Sequence, residues 1–192
     1  MNGGFLEKTA TKALDRLHAR ALVLDEGSTR IALCVVDTCM MTRELIDSAK
    51  EIASRATGIP PERMLVSATH THSAPAAMGC LGARMDEAYA AYLSGKIAEA
   101  IAGAAKNVTE ARIGWAVVPA WQFTNCRRWI RRPDKMITDP FGVVSARANI
   151  HPGYVSPDAI RPSGPIDLDL SMLSVQTRDG RPLALFANFS MH

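Results

Sequence analysis

Two histidines separated by one threonine, in the segment His70-Thr71-His72, are the residues of this sequence best suited to bind a metal ion. They follow an apolar run at residues 64–69, which predicts a short buried strand. Side chains two residues apart in an extended chain point the same way, so both imidazoles should face one side, about 6 to 7 Å apart. One ring can then bind a divalent ion while the other binds the same ion or a group of the substrate. On spacing alone, two polar residues in a loop are the better explanation, and the position at a strand end makes the two interpretations equally good.

Asp37 and His192 occupy similar positions, because each comes directly after an apolar run. A carboxylate at Asp37 can orient an imidazole by accepting its second ring N–H, although a turn former at a strand end is an equally good interpretation. A third imidazole from His192 suits catalytic zinc, which commonly has three protein ligands and an open position. His18 precedes a predicted strand, so we expect it at the opposite end, away from this group.

Four arginines form a dense basic cluster, as the pairs Arg127-Arg128 and Arg131-Arg132. A guanidinium fork from this cluster can bind a carboxylate, a phosphate or a carbonyl oxygen of a substrate. The alternative is a solvated loop, which is the usual role of a run of charges.

The four cysteines show neither a metal-binding nor a disulfide pattern. None forms a Cys-x-x-Cys pair or has a metal-finger partner at the usual spacing, and their density is too low for a disulfide framework. Cys34 lies in an apolar run, where it is expected to be a small buried hydrophobic residue. The sequence therefore assigns no ligand role to Cys34, Cys39, Cys80 or Cys126.

The hydrophobic pattern predicts the elements that position the histidines. The first elements are two hairpin strands, a helix capped by Thr42 and a third strand, at residues 19–24, 29–37, 42–55 and 64–69. Strand, helix and strand in this order predict a βαβ unit whose second and third strands are parallel neighbours. Because ligands bind beyond the carboxyl ends of such strands, Asp37 and His70 are expected at one edge of the sheet.

The second half of the chain is predicted to hold a helix, a strand, an irregular stretch and a hairpin, at residues 85–105, 112–118, 120–165 and 171–189. Asp179-Gly180 is a strong hairpin signal. Irregular stretches as long as the one predicted here are usually functional or disordered, and its aromatic residues argue against disorder. We therefore predict an α/β fold with a mixed β-sheet and flanking helices, in a single domain at residues 1–192.

Composition excludes some classes of protein. Hydrophobic residues make up 47% of the chain and charged residues 21%, and the formal net charge is +3. These values are typical of a globular domain, and the charge gives no reason to expect a nucleic-acid partner. No run of about 18 apolar residues predicts a membrane span, and the first residues lack the apolar core of a signal peptide. The sequence leaves the compartment and the oligomeric state open.

Several segments, in order along nearly the whole chain, resemble the neutral/alkaline non-lysosomal ceramidase family. The most specific is Ser67-Ala68-Thr69-His70-Thr71-His72-Ser73, preceded by Thr57-Gly58-Ile59-Pro60-Pro61-Glu62. The other matching segments are Ala19-Arg20-Ala21-Leu22-Val23-Leu24-Asp25, Asn125-Cys126-Arg127-Arg128, Gly164-Pro165-Ile166-Asp167 and Asn188-Phe189-Ser190-Met191-His192.

This resemblance implies a zinc-dependent amide hydrolase that cleaves the N-acyl bond of ceramide or a related lipid amide. His70 and His192 correspond to zinc ligands of the family, and His72 to a residue beside the zinc that contacts the substrate or the attacking water. Arg127, or alternatively Arg128, corresponds to the active-site arginine. Asp37 and Ser73 are expected near the metal or the substrate.

The family's remaining zinc ligands, a glutamate and a tyrosine, lie beyond the position of His192. We therefore expect this chain to be the N-terminal part of a longer catalytic domain, inactive by itself, with any membrane-surface contact made elsewhere in that domain. The alternatives are a ceramidase-like domain that binds without catalysis and, less favoured, an amidohydrolase-type barrel, whose eight βα units need a longer chain.

Overall fold

The computed structural model describes residues 1–2, 4, 6–80, 82–153 and 155–190. The chain divides into two compact units, Met1–Thr109 and Glu110–His192. Among the described residues, the two α-helices belong to the first unit, and the second unit is built from small antiparallel sheets. The α/β class with a mixed sheet is confirmed, while the grouping of all residues into one domain stays a prediction.

The first unit is built on a three-stranded mixed sheet of β1 (Ala19–Asp25), β2 (Arg30–Val36) and β3 (Met64–Ala68), in the order β1-β2-β3. The strands β1 and β2 form the predicted antiparallel hairpin. The strands β2 and β3 are parallel, with Ala32 opposite Met64 and Val36 opposite Ala68. The prediction of parallel neighbours is therefore confirmed, and the carboxyl ends of β2 and β3 meet at one edge.

Helix α1 (Arg43–Thr57) makes the crossover between β2 and β3. The Thr42 hydroxyl caps it by accepting a hydrogen bond of 3.2 Å from the backbone N–H of Leu45, as the sequence predicts. The helix ends at Gly58, whose φ of 72° is the left-handed conformation that a C-cap glycine adopts at least cost. The crossover thus begins and ends where the sequence signals it.

Helix α2 (Glu87–Lys106) is capped by Asp86, whose carboxylate accepts a hydrogen bond of 2.9 Å from the backbone N–H of Tyr89. It packs against α1 and β1. Small side chains such as Ala49 and Ala53 are fully buried and allow close approach, while larger ones such as Ile97 fill the core between helices and sheet. This core supports the sheet edge where β2 and β3 end.

The second unit contains an antiparallel sheet of β4 (Arg112–Pro119), β10 (Asp169–Gln176) and β11 (Pro182–Phe189), with β10 in the centre. The region predicted to be irregular instead holds five strands of two to four residues. They form the sheets β8-β5-β9 and β6-β7, from β5 (Arg128–Arg131), β6 (Ile137–Thr138), β7 (Val144–Ala146), β8 (Ala148–Ile150) and β9 (Ala159–Pro162). Strands this short do not show a readable alternation, which is why the pattern missed them.

Neither α-helix, in the part of the chain that the structure describes, is both long and apolar enough to cross a membrane.

Candidate metal centre

The backbone at the carboxyl edge of the first sheet is held in place beyond the ends of the strands. The N–H of Thr69 donates to the carbonyl of Val36 at 3.0 Å, and the N–H of Thr71 donates to the carbonyl of Thr38 at 3.0 Å. These bonds continue the β2–β3 pairing and fix residues 69–71 against residues 36–38. The side chains that follow each strand are therefore brought together, as expected for the carboxyl ends of parallel strands.

His70 has a left-handed backbone, with a φ of 61°. This conformation is uncommon for residues other than glycine and is found disproportionately at functional sites. The rings of His70 and His72 lie with their centroids 4.6 Å apart and their planes at 76°. The two imidazoles are therefore close together, but nearer than the ~6 to 7 Å predicted from the strand rise and for a different reason. The strand ends at Ala68, and the turn at His70, rather than the alternation of an extended chain, brings them together.

Cys39 is the third member of this group and was not assigned a ligand role from the sequence. The ligand atoms of Cys39, His70 and His72 all lie within 4.8 Å of one another. The Cys39 sulfur is 3.7 Å from Nδ1 of His70, and the Cys39 carbonyl oxygen is 3.0 Å from the same nitrogen. Its position in the sequence could have indicated this role, because Cys39 follows the end of β2 as His70 follows the end of β3.

The short contact with the Cys39 carbonyl orients the His70 ring. A carbonyl oxygen only accepts, so Nδ1 of His70 carries the proton in this contact and Nε2 is left as an acceptor. A backbone carbonyl that fixes a ring nitrogen in this way is a common feature of histidines that bind metals.

The chemistry of this donor set suits zinc, which accepts imidazole nitrogen and thiolate sulfur and rarely needs more than three protein ligands at a catalytic site. The neighbouring Thr38 is fully buried, and its hydroxyl has no hydrogen-bond partner among the described residues. An unpaired buried hydroxyl costs stability, and such groups call for a structural or functional reason. The residues present therefore fit a zinc ion at this edge.

The environment of Cys39 is unlike that of a catalytic nucleophile. Its side chain is 1% exposed, and burial, followed by the proximity of Cys80, raises the pKa of its thiol above the usual value. A nucleophilic cysteine needs the opposite, an accessible thiol with a lowered pKa. The Cys39–His70 contact is therefore not a thiol–imidazole nucleophilic pair.

We expect the cysteines to differ in alkylation rate near neutral pH. A backbone hydrogen bond at Arg128 is the main cause that lowers the pKa of Cys126, whereas burial raises the pKa of Cys34 to about 11 and also raises that of Cys39. Because the thiolate is the reactive form, Cys126 should react before Cys34 and Cys39 as the pH rises. Mass-spectrometric mapping after brief iodoacetamide treatment measures the order, and faster modification of Cys34 than of Cys126 would contradict it.

Asp37 also lies at this edge, where its carboxylate accepts hydrogen bonds from Arg20 of β1 and from His18, the residue directly before β1. Its Oδ2 accepts a hydrogen bond of 2.9 Å from the backbone N–H of His18, and Nη1 of Arg20 lies 3.1 and 3.0 Å from its two oxygens. The prediction that His18 lies at the opposite end was wrong. Since β1 is antiparallel to β2, the start of β1 lies beside the end of β2.

These contacts predict a stabilising role for Asp37 rather than control of zinc binding. The variant Asp37→Asn should lower the free energy of unfolding by about 1 kcal/mol, because the carboxylate is largely buried but its partner Arg20 is mostly exposed. It should change Zn²⁺ affinity less than the ~10-fold that loss of an orienting partner costs. Urea unfolding and zinc titration of the variant measure both, and a larger loss of affinity would restore the orienting role.

Ser73, predicted near the metal or the substrate, is exposed and lines a cavity of about 510 Å³ in the first unit. The same cavity is lined by Arg84 and Asp86, and by Glu7 and Lys8 from the N-terminal segment. Ser73 directly follows His72 in the sequence, but His70 and His72 are not among the residues that line this cavity.

Arg127 is a half-buried residue of the second unit and lines a cavity of about 630 Å³ together with Asn125, Trp129, His151 and Ser156. Arg128 is exposed and lines a shallower pocket beside Asp167, to which Arg127 also contributes. The lining of this cavity therefore includes both a guanidinium and an indole ring.

Two of the four arginines of the basic cluster form ion pairs with aspartates. Arg131 pairs with Asp158 at 3.3 Å, and Arg132 pairs with Asp134 at 2.9 Å. Within residues 110–153 and 155–190, Arg127 and Arg128 form no ion pair. Their guanidinium groups are therefore the members of the cluster available to a substrate.

His192, the second predicted zinc ligand, lies outside the described residues, so its place near His70 stays a prediction.

No protein-family model matches the sequence, and no curated protein matches it. Two solved structures are similar in fold. The neutral ceramidase from Pseudomonas aeruginosa matches with a TM-score of 0.55 and 16% sequence identity, over 88% of this chain and 25% of that one. A ceramidase complexed with C2 matches with a TM-score of 0.53 and 16% identity, over the same shares. The chain thus has a ceramidase-like fold and spans about a quarter of the length of these structures.

Proposed function

We propose that this chain carries the zinc-binding edge of an amide hydrolase that cleaves the N-acyl bond of ceramide or a related lipid amide. The observation that carries the proposal is the convergence of the Cys39, His70 and His72 ligand atoms within 4.8 Å at the carboxyl edge of a parallel strand pair. The likeness to solved ceramidases supports the choice of substrate class, because it covers most of this chain. His192 is proposed as a further ligand.

In this proposal, a bound zinc ion supplies Lewis acidity, which activates water and polarises the amide carbonyl. His70 holds the ion, with its ring oriented by the Cys39 carbonyl. His72 is exposed and close to His70, so its imidazole can contact the substrate and exchange a proton with it. Arg127 donates hydrogen bonds to the substrate oxygen that gains charge during attack.

The test is an assay of the natural protein that contains these 192 residues, with a fluorescent N-acyl sphingosine and a matched fluorescent O-acyl ester. We expect release of the fatty acid from the amide, lost on chelation and restored by Zn²⁺ but not by Mg²⁺. A protein that binds zinc and the lipid but hydrolyses neither the amide nor the ester would be the non-catalytic domain that the sequence leaves as the alternative.

A further inference from the structure

We propose that Cys39 binds the metal ion directly through its thiolate, beside His70, so that the site is a mixed sulfur and nitrogen centre. This inference rests on the proposed zinc site at His70 and concerns the identity of its ligands. Cys39 lies at the end of β2, one residue after the buried Thr38, and its main chain and side chain both face the His70 ring.

The distance between the donor atoms is the first argument. A zinc ion with bonds of about 2.3 Å to sulfur and ~2.1 Å to nitrogen, at a tetrahedral angle, holds the two atoms about 3.6 Å apart. The Cys39 sulfur and Nδ1 of His70 are 3.7 Å apart. The sulfur and Nδ1 therefore already have the spacing of two ligands of one ion, although Nδ1 must first give up its proton and its contact with the Cys39 carbonyl.

The position of the sulfur is the second argument. A buried thiol that serves only as a small hydrophobic residue is expected among apolar side chains, as Cys34 is in the core of the first unit. Cys39 is equally buried but lies at the sheet edge, against two imidazoles and outside that core. A sulfur that is shielded from solvent and lies against two imidazoles has the environment expected of a metal ligand.

Binding exchanges a proton for the ion. The Cys39 S–H bond breaks, the sulfur keeps the electron pair and forms the bond to the metal, and the proton passes to the buffer. Nδ1 of His70 would leave the Cys39 carbonyl, its proton would move through solvent to Nε2, and the lone pair so freed would take the ion; otherwise Nδ1–H would stay on the carbonyl and the unprotonated Nε2 would coordinate. His72 remains beside the ion in its substrate-contacting role. A thiolate in the set favours soft and borderline ions, so Zn²⁺, Co²⁺ and Cd²⁺ should bind far better than Mg²⁺ or Ca²⁺.

Cobalt substitution of the whole chain tests the ligand directly, because a thiolate bound to Co²⁺ gives a near-ultraviolet charge-transfer band that nitrogen and oxygen ligands do not. We expect this band in the unmodified protein and its loss in Cys39→Ser. The matched controls are Cys80→Ser, close to Cys39, and Cys126→Ser in the second unit, both of which should keep the band. Affinity for Zn²⁺ should fall by at least the 10- to 100-fold that loss of an orienting partner costs.

The other possible results of the cobalt experiment also decide whether Cys39 is a ligand. Co²⁺ that binds with visible d–d absorption but no charge-transfer band would overturn ligation by Cys39 and leave the proposed histidine site intact. A band lost in Cys80→Ser and kept in Cys39→Ser would overturn it too. Failure of the chain to bind either ion would overturn this inference and the proposed function together. If Cys39→Ser does not fold, X-ray absorption of the zinc-loaded unmodified protein decides, since a sulfur at about 2.3 Å is required.

Discussion

Replacing His70 by asparagine is expected to weaken Zn²⁺ binding by more than about 100-fold, since loss of a mere orienting partner already costs 10- to 100-fold. Hydrolysis of the lipid amide should fall with the bound metal. Asparagine is the better substitution than alanine here because His70 has a φ of 61°, and asparagine tolerates the left-handed backbone that alanine adopts only with strain. The loss can then be assigned to the missing imidazole. Isothermal titration with Zn²⁺ measures it.

The chain contains a matched control for this substitution. His151 also has a left-handed backbone, with a φ of 52°, and lies in the second unit, where its N–H donates to the carbonyl of Arg127. His151→Asn makes the same chemical change in the same backbone conformation and should leave Zn²⁺ affinity unchanged. Equal affinities of the His70→Asn variant and the unmodified protein would show that His70 is not a ligand.

Replacing Arg127 by alanine is expected to lower turnover of the lipid amide by about 10²- to 10³-fold, the usual cost of removing a group that stabilises a developing oxyanion. The effect should fall mainly on kcat rather than KM, because the interaction strengthens as negative charge develops on the substrate oxygen. Arg127→Lys keeps the charge but loses the planar fork, so it should recover only part of the rate. Steady-state kinetics of the zinc-loaded natural protein measure both variants.

Arg128→Ala is the control, because Arg128 is the adjacent residue, carries the same charge and is exposed. It should retain most of the activity. A larger loss in Arg128→Ala than in Arg127→Ala would reverse the assignment of the two arginines. Unchanged kcat in both variants would remove the second unit's arginines from the reaction, while the zinc site in the first unit would still stand.

The fold of the first unit was readable from the sequence because its signals are local and agree with one another. The capping threonine, the stop at Gly58 and two apolar runs of strand length define the crossover, and the parallel pairing of β2 and β3 follows from it. The edge where His70 lies was predicted from this pairing. The strands in the irregular region of the second unit were not predicted, because they are too short to show an alternation of apolar and polar residues.

The members of the candidate site that the sequence missed are those that tertiary structure brings close. Cys39 and His70 are 31 positions apart, and no spacing rule for cysteine covers a ligand at the end of one strand and another at the end of its parallel neighbour. The predicted position of His18 was wrong because it followed from the direction of β1 alone and not from the pairing of β1 with β2. In an antiparallel hairpin the start of one strand lies at the end of the other, so His18 and Asp37 share an edge.

The sequence predicted the two histidines on one side of an extended strand, but their rings are closer than predicted because the backbone conformation is different. Alternation in an extended chain places residues two apart on one side, but β3 ends before His70, and a left-handed residue makes the turn. A left-handed conformation at a residue other than glycine depends on the surrounding hydrogen bonds, here those of Thr69 and Thr71 to β2 and the residues after it. Such long-range support cannot be read from local sequence.

The central claim is that one zinc ion binds at His70, and a crystal of the chain grown with Zn²⁺ tests it most directly, with anomalous scattering measured on both sides of the zinc absorption edge. We predict one strong anomalous peak at about 2.1 Å from a ring nitrogen of His70, next to His72 and the Cys39 sulfur. A fully ordered His70–His72 segment with no peak beside it, or a peak only at distant surface residues, would contradict the claim.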